Sequence, residues 1–151
     1  MTEHVLRGFE VISAYEDKDI HIPERKTIES AGYDIESAED VILLPRQVTV
    51  IPTGLKAFMG ADEYLAVHIR SGISIKKALM LVNGTGIIDA DYYNNEDNEG
   101  HILVAFYNLS GESVTIHRGD RIAQGIFCPY LVSSDDRANG VRTGGIGSTG
   151  V

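Results

Sequence analysis

The chain has 151 residues, 43% hydrophobic and 23% charged, which suits one soluble globular domain with a core of its own. Its formal charge of −9 and pI near 4.9 argue against a general binder of nucleic acid or membrane surfaces, whose long-range field is basic. Cys128 is the single cysteine, which excludes an internal disulfide, and residues 1–9 lack an apolar leader, so a reducing, cytoplasmic setting is expected.

No long segment carries the helical period. The apolar residues come in short runs broken by Gly, Pro, Asn and Asp, the pattern of an all-β sandwich or barrel. Residues 9–15 read as a first strand, and residues 16–19 and 23–26 as loops. Ala31-Gly32-Tyr33-Asp34-Ile35 opens the next strand. Gly32 allows close packing or an unusual backbone angle. Asp34, between apolar neighbours, is either a cap on turn N–H groups or a functional acid. Residues 41–44 and 48–51 read as strands parted by Pro45; Pro52-Thr53-Gly54 is a turn, and 55–59 continues the sheet. Residues 64–70 alternate cleanly, with Leu65, Val67 and Ile69 on one face and Tyr64, Ala66, His68 and Arg70 on the other. Arg70 runs into Ser71-Gly72. That is either an ordinary strand end or an anion cradle, since a guanidinium binds phosphate bidentately and a hydroxyl and a Gly N–H stand beside it. Residues 73–79 suit one short helix with Lys76 and Lys77 outward.

Residues 83–93 read Asn-Gly-Thr-Gly-Ile-Ile-Asp-Ala-Asp-Tyr-Tyr. Asn83-Gly84 signals a tight hairpin and Gly86 a second close backbone approach. Asp89 stands where a strand normally carries Val or Ile, and a carboxylate is costly to bury without partners or a task. Asp91 follows two residues on, so an extended chain projects both acids from one face. Tyr92 and Tyr93 add flat, rigid surface. The segment is either a hairpin with a solvated acidic end or a site for a small planar ligand and a hydrolytic water. Residues 94–100 form a polar loop without calcium-loop spacing, because positions 6 and 12 counted from Asp89 hold Asn94 and Gly100. Residues 101–108 are apolar on both faces, so one cover is expected to be another subunit. Residues 118–121 turn into a strand over 122–127, where Gln124 shares a face with Ile122 and Ile126 and needs a hydrogen-bond partner. Cys128 reads as core. Residues 135–140 are loop, and the Gly-rich tail 142–151 has too little apolar surface to order itself. The five histidines lack zinc spacing, and no Walker A lysine or Gly-x-Ser-x-Gly elbow is present.

Five motifs now stand in order: Ala-Gly-Tyr-Asp-Ile at 31–35, Arg-Ser-Gly at 70–72, Gly-Ile-Ile-Asp-Ala-Asp-Tyr-Tyr at 86–93, Arg-Gly-Asp-Arg-Ile-Ala-Gln at 118–124 and Gly-Gly-Ile-Gly-Ser-Thr-Gly at 144–150. The set resembles the five-motif, homotrimeric dUTPase family. The resemblance implies an all-β, distorted jelly-roll-like barrel over residues 1–140, a flexible arm over 141–151 that closes on the active site, and three sites at subunit interfaces. It implies Mg²⁺-dependent hydrolysis of dUTP to dUMP and pyrophosphate, which limits uracil in DNA and supplies dUMP for dTMP synthesis. Asp89 matches the acid that activates the water attacking the α-phosphorus. Asn83, Gly86 and Ile88 match the segment that reads uracil, and Tyr92 the residue against the deoxyribose. Arg70, Ser71, Gly72 and Gln124 match phosphate contacts. Asp34 matches the acid that supports, through water, a metal held mainly by the substrate phosphates. In the arm, Ile146 matches the residue over uracil, and Arg142, Gly147, Ser148 and Thr149 match phosphate contacts.

Two positions depart from the family pattern. Ile146 stands where a Phe is usual, and the fifth residue before it is Val141 rather than Arg, so the arm arginine is expected at Arg142, with Arg137 as the fallback. The related dCTP deaminase would need a glutamate three residues before Asn108, where this chain has Ala105. A binding protein without turnover is the reading from another class.

Overall fold

Short β-prone runs separated by turn residues are satisfied by pairing with one another, and the computed structural model, which describes residues 6–147, pairs them almost throughout. The strands are β1 (Gly8–Val11), β2 (Tyr33–Glu36), β3 (Val41–Leu43), β4 (Val48–Pro52), β5 (Leu55–Phe58), β6 (Glu63–Ile69), β7 (Leu79–Leu81), β8 (Gly86–Asp89), β9 (Leu103–Asn108), β10 (Val114–Ile116) and β11 (Arg121–Pro129), with one helix, α1 (Ser71–Lys77), among the described residues. They form a sheet in the order β2-β11-β6-β8, a second sheet β4-β9-β7, and the ribbons β1-β5 and β3-β10, all antiparallel. Their inward residues meet in one core built on Ile35, Leu43, Ile51, Leu65, Val104, Phe106, Ile116 and Ile122. The fold is the all-β, jelly-roll-like architecture expected. No helix among the described residues is long and apolar enough to cross a membrane.

Several local expectations are corrected. The first strand stops at Val11, and Ser13–Tyr15 coils into a 3₁₀ turn, Tyr15 donating its N–H to the Ile12 carbonyl at 2.9 Å. The helix starts two residues early, at Ser71; Ala78 ends it with a left-handed φ of 52°, which frees Leu79 to enter β7. Asn83-Gly84 does not close a hairpin, because β7 pairs with β9 and β8 pairs with β6, so the chain arches from one sheet to the other. A bulge between Arg121 and Ala123 puts both Ile122 and Ala123 in the core and moves Gln124 off the face of Ile122. Cys128 is partly exposed rather than core. β7 and β10, three residues each, were not read as strands from the sequence.

β9 accounts for its two apolar faces. Ile102, Val104 and Phe106 are buried, while Leu103, Ala105 and Tyr107 alternate with them on the outer face and are only half-buried. Val48, Val50 and Met80 on the flanking strands are exposed. Asn108 ends β9 fully buried, and its amide donates to the carbonyls of Leu43 (3.0 Å) and Glu112 (2.8 Å).

At the other end of β9, His101 Nε2 accepts the Gly54 N–H at 2.9 Å. Gly54 has φ +73°, and a Cβ there would lie 2.9 Å from the Ile20 side chain, so only glycine fits the turn. Burial pushes the His101 imidazole below its ordinary value, against the opposing pull of Glu39 and Glu99. The ring is therefore neutral when folded and takes up a proton more readily when unfolded. Stability from this group is complete above the unfolded value near 6.5 and is lost as pH falls, by at most about 1.4 kcal/mol per pH unit. Thermal melts between pH 7.5 and 5 should show this acid limb, and His101→Gln, which keeps an acceptor without titrating, should flatten it.

Candidate active site

β8 is the edge strand of its sheet, so one rim of its backbone N–H and C=O groups has no strand partner among the described residues. That rim opens on a cavity of about 490 Å³ lined by Asn83, Gly86, Ile88, Asp89 and Tyr92, by Ala105 of β9, and by Arg142, Gly145, Ile146 and Gly147 of the tail. Such a volume suits a small organic ligand. One wall is apolar, from Val50, Val67, Leu81, Val82 and Leu103.

Asp89 ends β8 with its side chain about half exposed, at 53%. The chain then turns as the 3₁₀ segment Ala90–Tyr92, so Asp89 and Asp91 do not project from an extended strand as expected. Both nevertheless meet one cation: Arg142 Nη2 lies 2.7 Å from Asp89 Oδ2, and Arg142 Nε 2.8 Å from Asp91 Oδ1. The Arg142 side chain is 8% exposed, and its guanidinium carbon lies 5.8 Å from the Tyr92 ring centre. Tyr92 is held in turn, donating its hydroxyl to the His101 carbonyl at 2.6 Å and accepting from Asn98 Nδ2 at 2.9 Å. Burial pushes its phenol up, which keeps it a neutral donor. Tyr93 belongs elsewhere: it donates to Glu10 and packs against Phe58 and Lys56.

The second cluster lies at the far end of β6. Arg70, Ser71, Asp34, Gly32 and Gln124 line a smaller cavity of about 260 Å³, together with Lys26. Asp34 lies 3.3 Å from Arg70 Nε and 3.6 Å from Arg121 Nη1. Gly32 is needed for closeness: a Cβ there would lie 2.9 Å from Gln124 Cβ and collide with its amide. Ser71 and Gly72 open α1 and are exposed.

The two clusters are far apart in one chain. Asp89 sits opposite Tyr64, and Arg70 follows six residues along β6. At about 3.3 Å per residue that is roughly 20 Å, longer than a triphosphate.

In the tail, Arg142 lines the cavity, while Val141 and Arg137 are exposed. Ile146 lines the cavity and is 76% exposed. Ser148 and Thr149 lie outside the described residues. The sequence reading missed Lys26, taken as loop, and gave Asp91 no partner. It also missed the loop 94–100, whose Asp97 accepts the Gly145 N–H at 2.8 Å. An exposed acid in a polar loop gives no sign of a contact 48 residues away. Among the described residues no three His, Cys, Asp or Glu side chains gather to hold a metal.

The sequence model of the dUTPase family matches residues 18–150. The deoxyuridine 5'-triphosphate nucleotidohydrolase of Lactococcus lactis is 50% identical over 147 residues, spanning 96% of this chain and 98% of its own. That of Desulfotalea psychrophila is 36% identical, over 90% and 91%. The crystal structure of a dUTPase from Streptococcus mutans superposes with a TM-score of 0.80 at 41% identity, covering 84% of this chain and 98% of that one. A dUTPase of phage phi11 of S. aureus, described with a structural Mg(II) ion, superposes at 0.73 with 25% identity, over 90% and 98%. Matched by the family model over residues 18–150 and superposed on a solved dUTPase over 84% of its length, the chain belongs to the dUTPase family.

Proposed function

We infer that the chain hydrolyses dUTP to dUMP and pyrophosphate, with Asp89 as the general base. The observation that carries this reading is an exposed carboxylate at the end of an edge strand, in a nucleoside-sized cleft, gripped by the arm. Arg142 takes Asp89 Oδ2, which leaves Oδ1 for a water. Asp89 draws a proton from that water as its oxygen bonds to the α-phosphorus; the α–β bridging P–O bond breaks and pyrophosphate leaves. The open rim of β8 offers alternating donors and acceptors to the amide edge of uracil, with Asn83 beside it, and a cytosine edge would mismatch them. The fixed Tyr92 ring would pack against the deoxyribose.

Arg70, Ser71, Gly72 and Gln124 would hold the phosphates, with Lys26 adding charge. Mg²⁺ suits this arrangement, since it keeps most of its water and binds through substrate phosphates rather than a protein cage. It would neutralise phosphate charge, with Asp34 placed beside that pocket to accept from its waters.

The backbone separation of Asp89 and Arg70, roughly 20 Å along β6, supports a second copy as the source of the second cluster. Val48 and Met80, exposed on β4 and β7 outside the cavity, mark the surface such a copy would cover, and a homotrimer follows the family. Ala105 lines the nucleoside cavity and supplies no carboxylate where the deaminase would need one. Products from dUTP, UTP, dTTP and dCTP, run in parallel with Mg²⁺, test the reading: dUMP and pyrophosphate from dUTP alone support it, and ammonia from dCTP or no turnover overturns it.

Ile146 covers the ring site without aromatic stacking, worth about 1 kcal/mol. Ile146→Phe should therefore tighten nucleotide binding by roughly fivefold, measured by calorimetry with a non-hydrolysable dUTP analogue.

A further inference from the structure

Tyr92 is buried, and the loop that follows is built around it. Its hydroxyl is used in both directions, donating to the His101 carbonyl at 2.6 Å and accepting from Asn98 Nδ2 at 2.9 Å. The Asn98 amide has one workable orientation, because its Oδ1 accepts from Asn95 Nδ2 at 2.7 Å and from the Gly100 N–H at 3.0 Å. Asn95, itself buried, also donates to the Tyr92 carbonyl at 2.8 Å and accepts the N–H groups of Asp97 (3.0 Å) and Asn98 (3.1 Å). Gly100 has φ +89° and lies flat on Tyr92, since a Cβ there would be 2.9 Å from the Tyr92 carbonyl oxygen. The frame is tied to the barrel behind it: Glu99 accepts from Lys56 Nζ at 2.7 Å, and His101 Nε2 accepts the Gly54 N–H at 2.9 Å.

We propose that the loop 94–100 is a lock on the Tyr92 ring, with Asn98 as the positioning residue that sets discrimination between deoxyribose and ribose. This role rests on the dUTP reading, in which the ring packs against the sugar. An apolar wall rejects an added hydroxyl by shape alone, by about 10²-fold, and only while it stands within about 0.5 Å of its place. A ring free to retreat would admit a 2′-hydroxyl. Tyr92 is held both at its hydroxyl and at its own carbonyl, so the wall stays where it is.

Calorimetric affinities for dUDP and UDP, with Mg²⁺, read the lock without turnover. Asn98→Ala should narrow the preference for dUDP by about 3- to 10-fold, the worth of one hydrogen bond. Tyr92→Phe, which deletes only the hydroxyl, should narrow it at least as much. A loop that merely folds less well would weaken both ligands alike and leave the ratio in place. The double variant should lose about as much as Tyr92→Phe alone, because Asn98 acts through that hydroxyl. A dUDP preference that survives both substitutions, or losses that add in the double variant, would overturn the lock. Equal binding of dUDP and UDP by the parent chain would overturn the sugar-site reading and the lock with it. A parent chain that prefers dUDP but leaves dUTP unhydrolysed would sink the activity reading alone and leave the lock standing.

Discussion

Asp89→Asn should lower kcat for dUTP by roughly 10²- to 10⁴-fold, the range for loss of a positioned general base. Binding should survive, because Asn keeps a carbonyl oxygen for Arg142 and does not change the cavity's shape. The neighbouring acid provides the control. Asp91 meets the same guanidinium at 2.8 Å, but its assigned work is to hold Arg142 rather than to take a proton. Asp91→Asn should therefore cost much less in kcat than Asp89→Asn. Single-turnover rates with calorimetric affinities separate the two. Equal losses at both positions would mean that Arg142, not Asp89, carries the chemistry.

Two impaired variants should complement each other. Arg70→Ala removes charge-assisted phosphate contacts worth about 1.5–3 kcal/mol, or roughly 10- to 150-fold in kcat/KM. Arg121 still pairs with Asp34, so the pocket's remaining acid is not left uncompensated. When Arg70→Ala and Asp89→Asn chains are co-expressed and assemble at random, about a quarter of the interfaces join an intact Asp89 to an intact Arg70. Activity should rise to about that fraction of the parent. If each chain held a complete site, mixing would restore nothing. The contrast follows from the roughly 20 Å between the two ends of β6.

The sequence disclosed the β class because strand propensity and turn residues agree in most segments, and β6 illustrates this with its clean alternation. It disclosed Asp89 because a carboxylate closing an Ile-Ile run conflicts with local preference, and such conflicts mark function. Pairing was less legible. Nothing between Leu81 and Gly86 distinguishes a hairpin from an arch between sheets, since the outcome depends on β9 and β6 as partners. The bulge at Arg121 was hidden for the same reason, and with it the face of Gln124. Arg142 illustrates the limit at the site. Its spacing from Ile146 is one residue short of the family pattern, yet its long side chain still spans two carboxylates. The contact between Asp97 and Gly145 was invisible because a solvated loop and a contact-making loop share one composition.

The central claim is that water, activated at Asp89, attacks the α-phosphorus of dUTP. Turnover in ¹⁸O-labelled water tests it in one mass spectrum. The account predicts a single ¹⁸O in dUMP and none in pyrophosphate; label in pyrophosphate, with unlabelled dUMP, would place the attack on the β-phosphorus and contradict it.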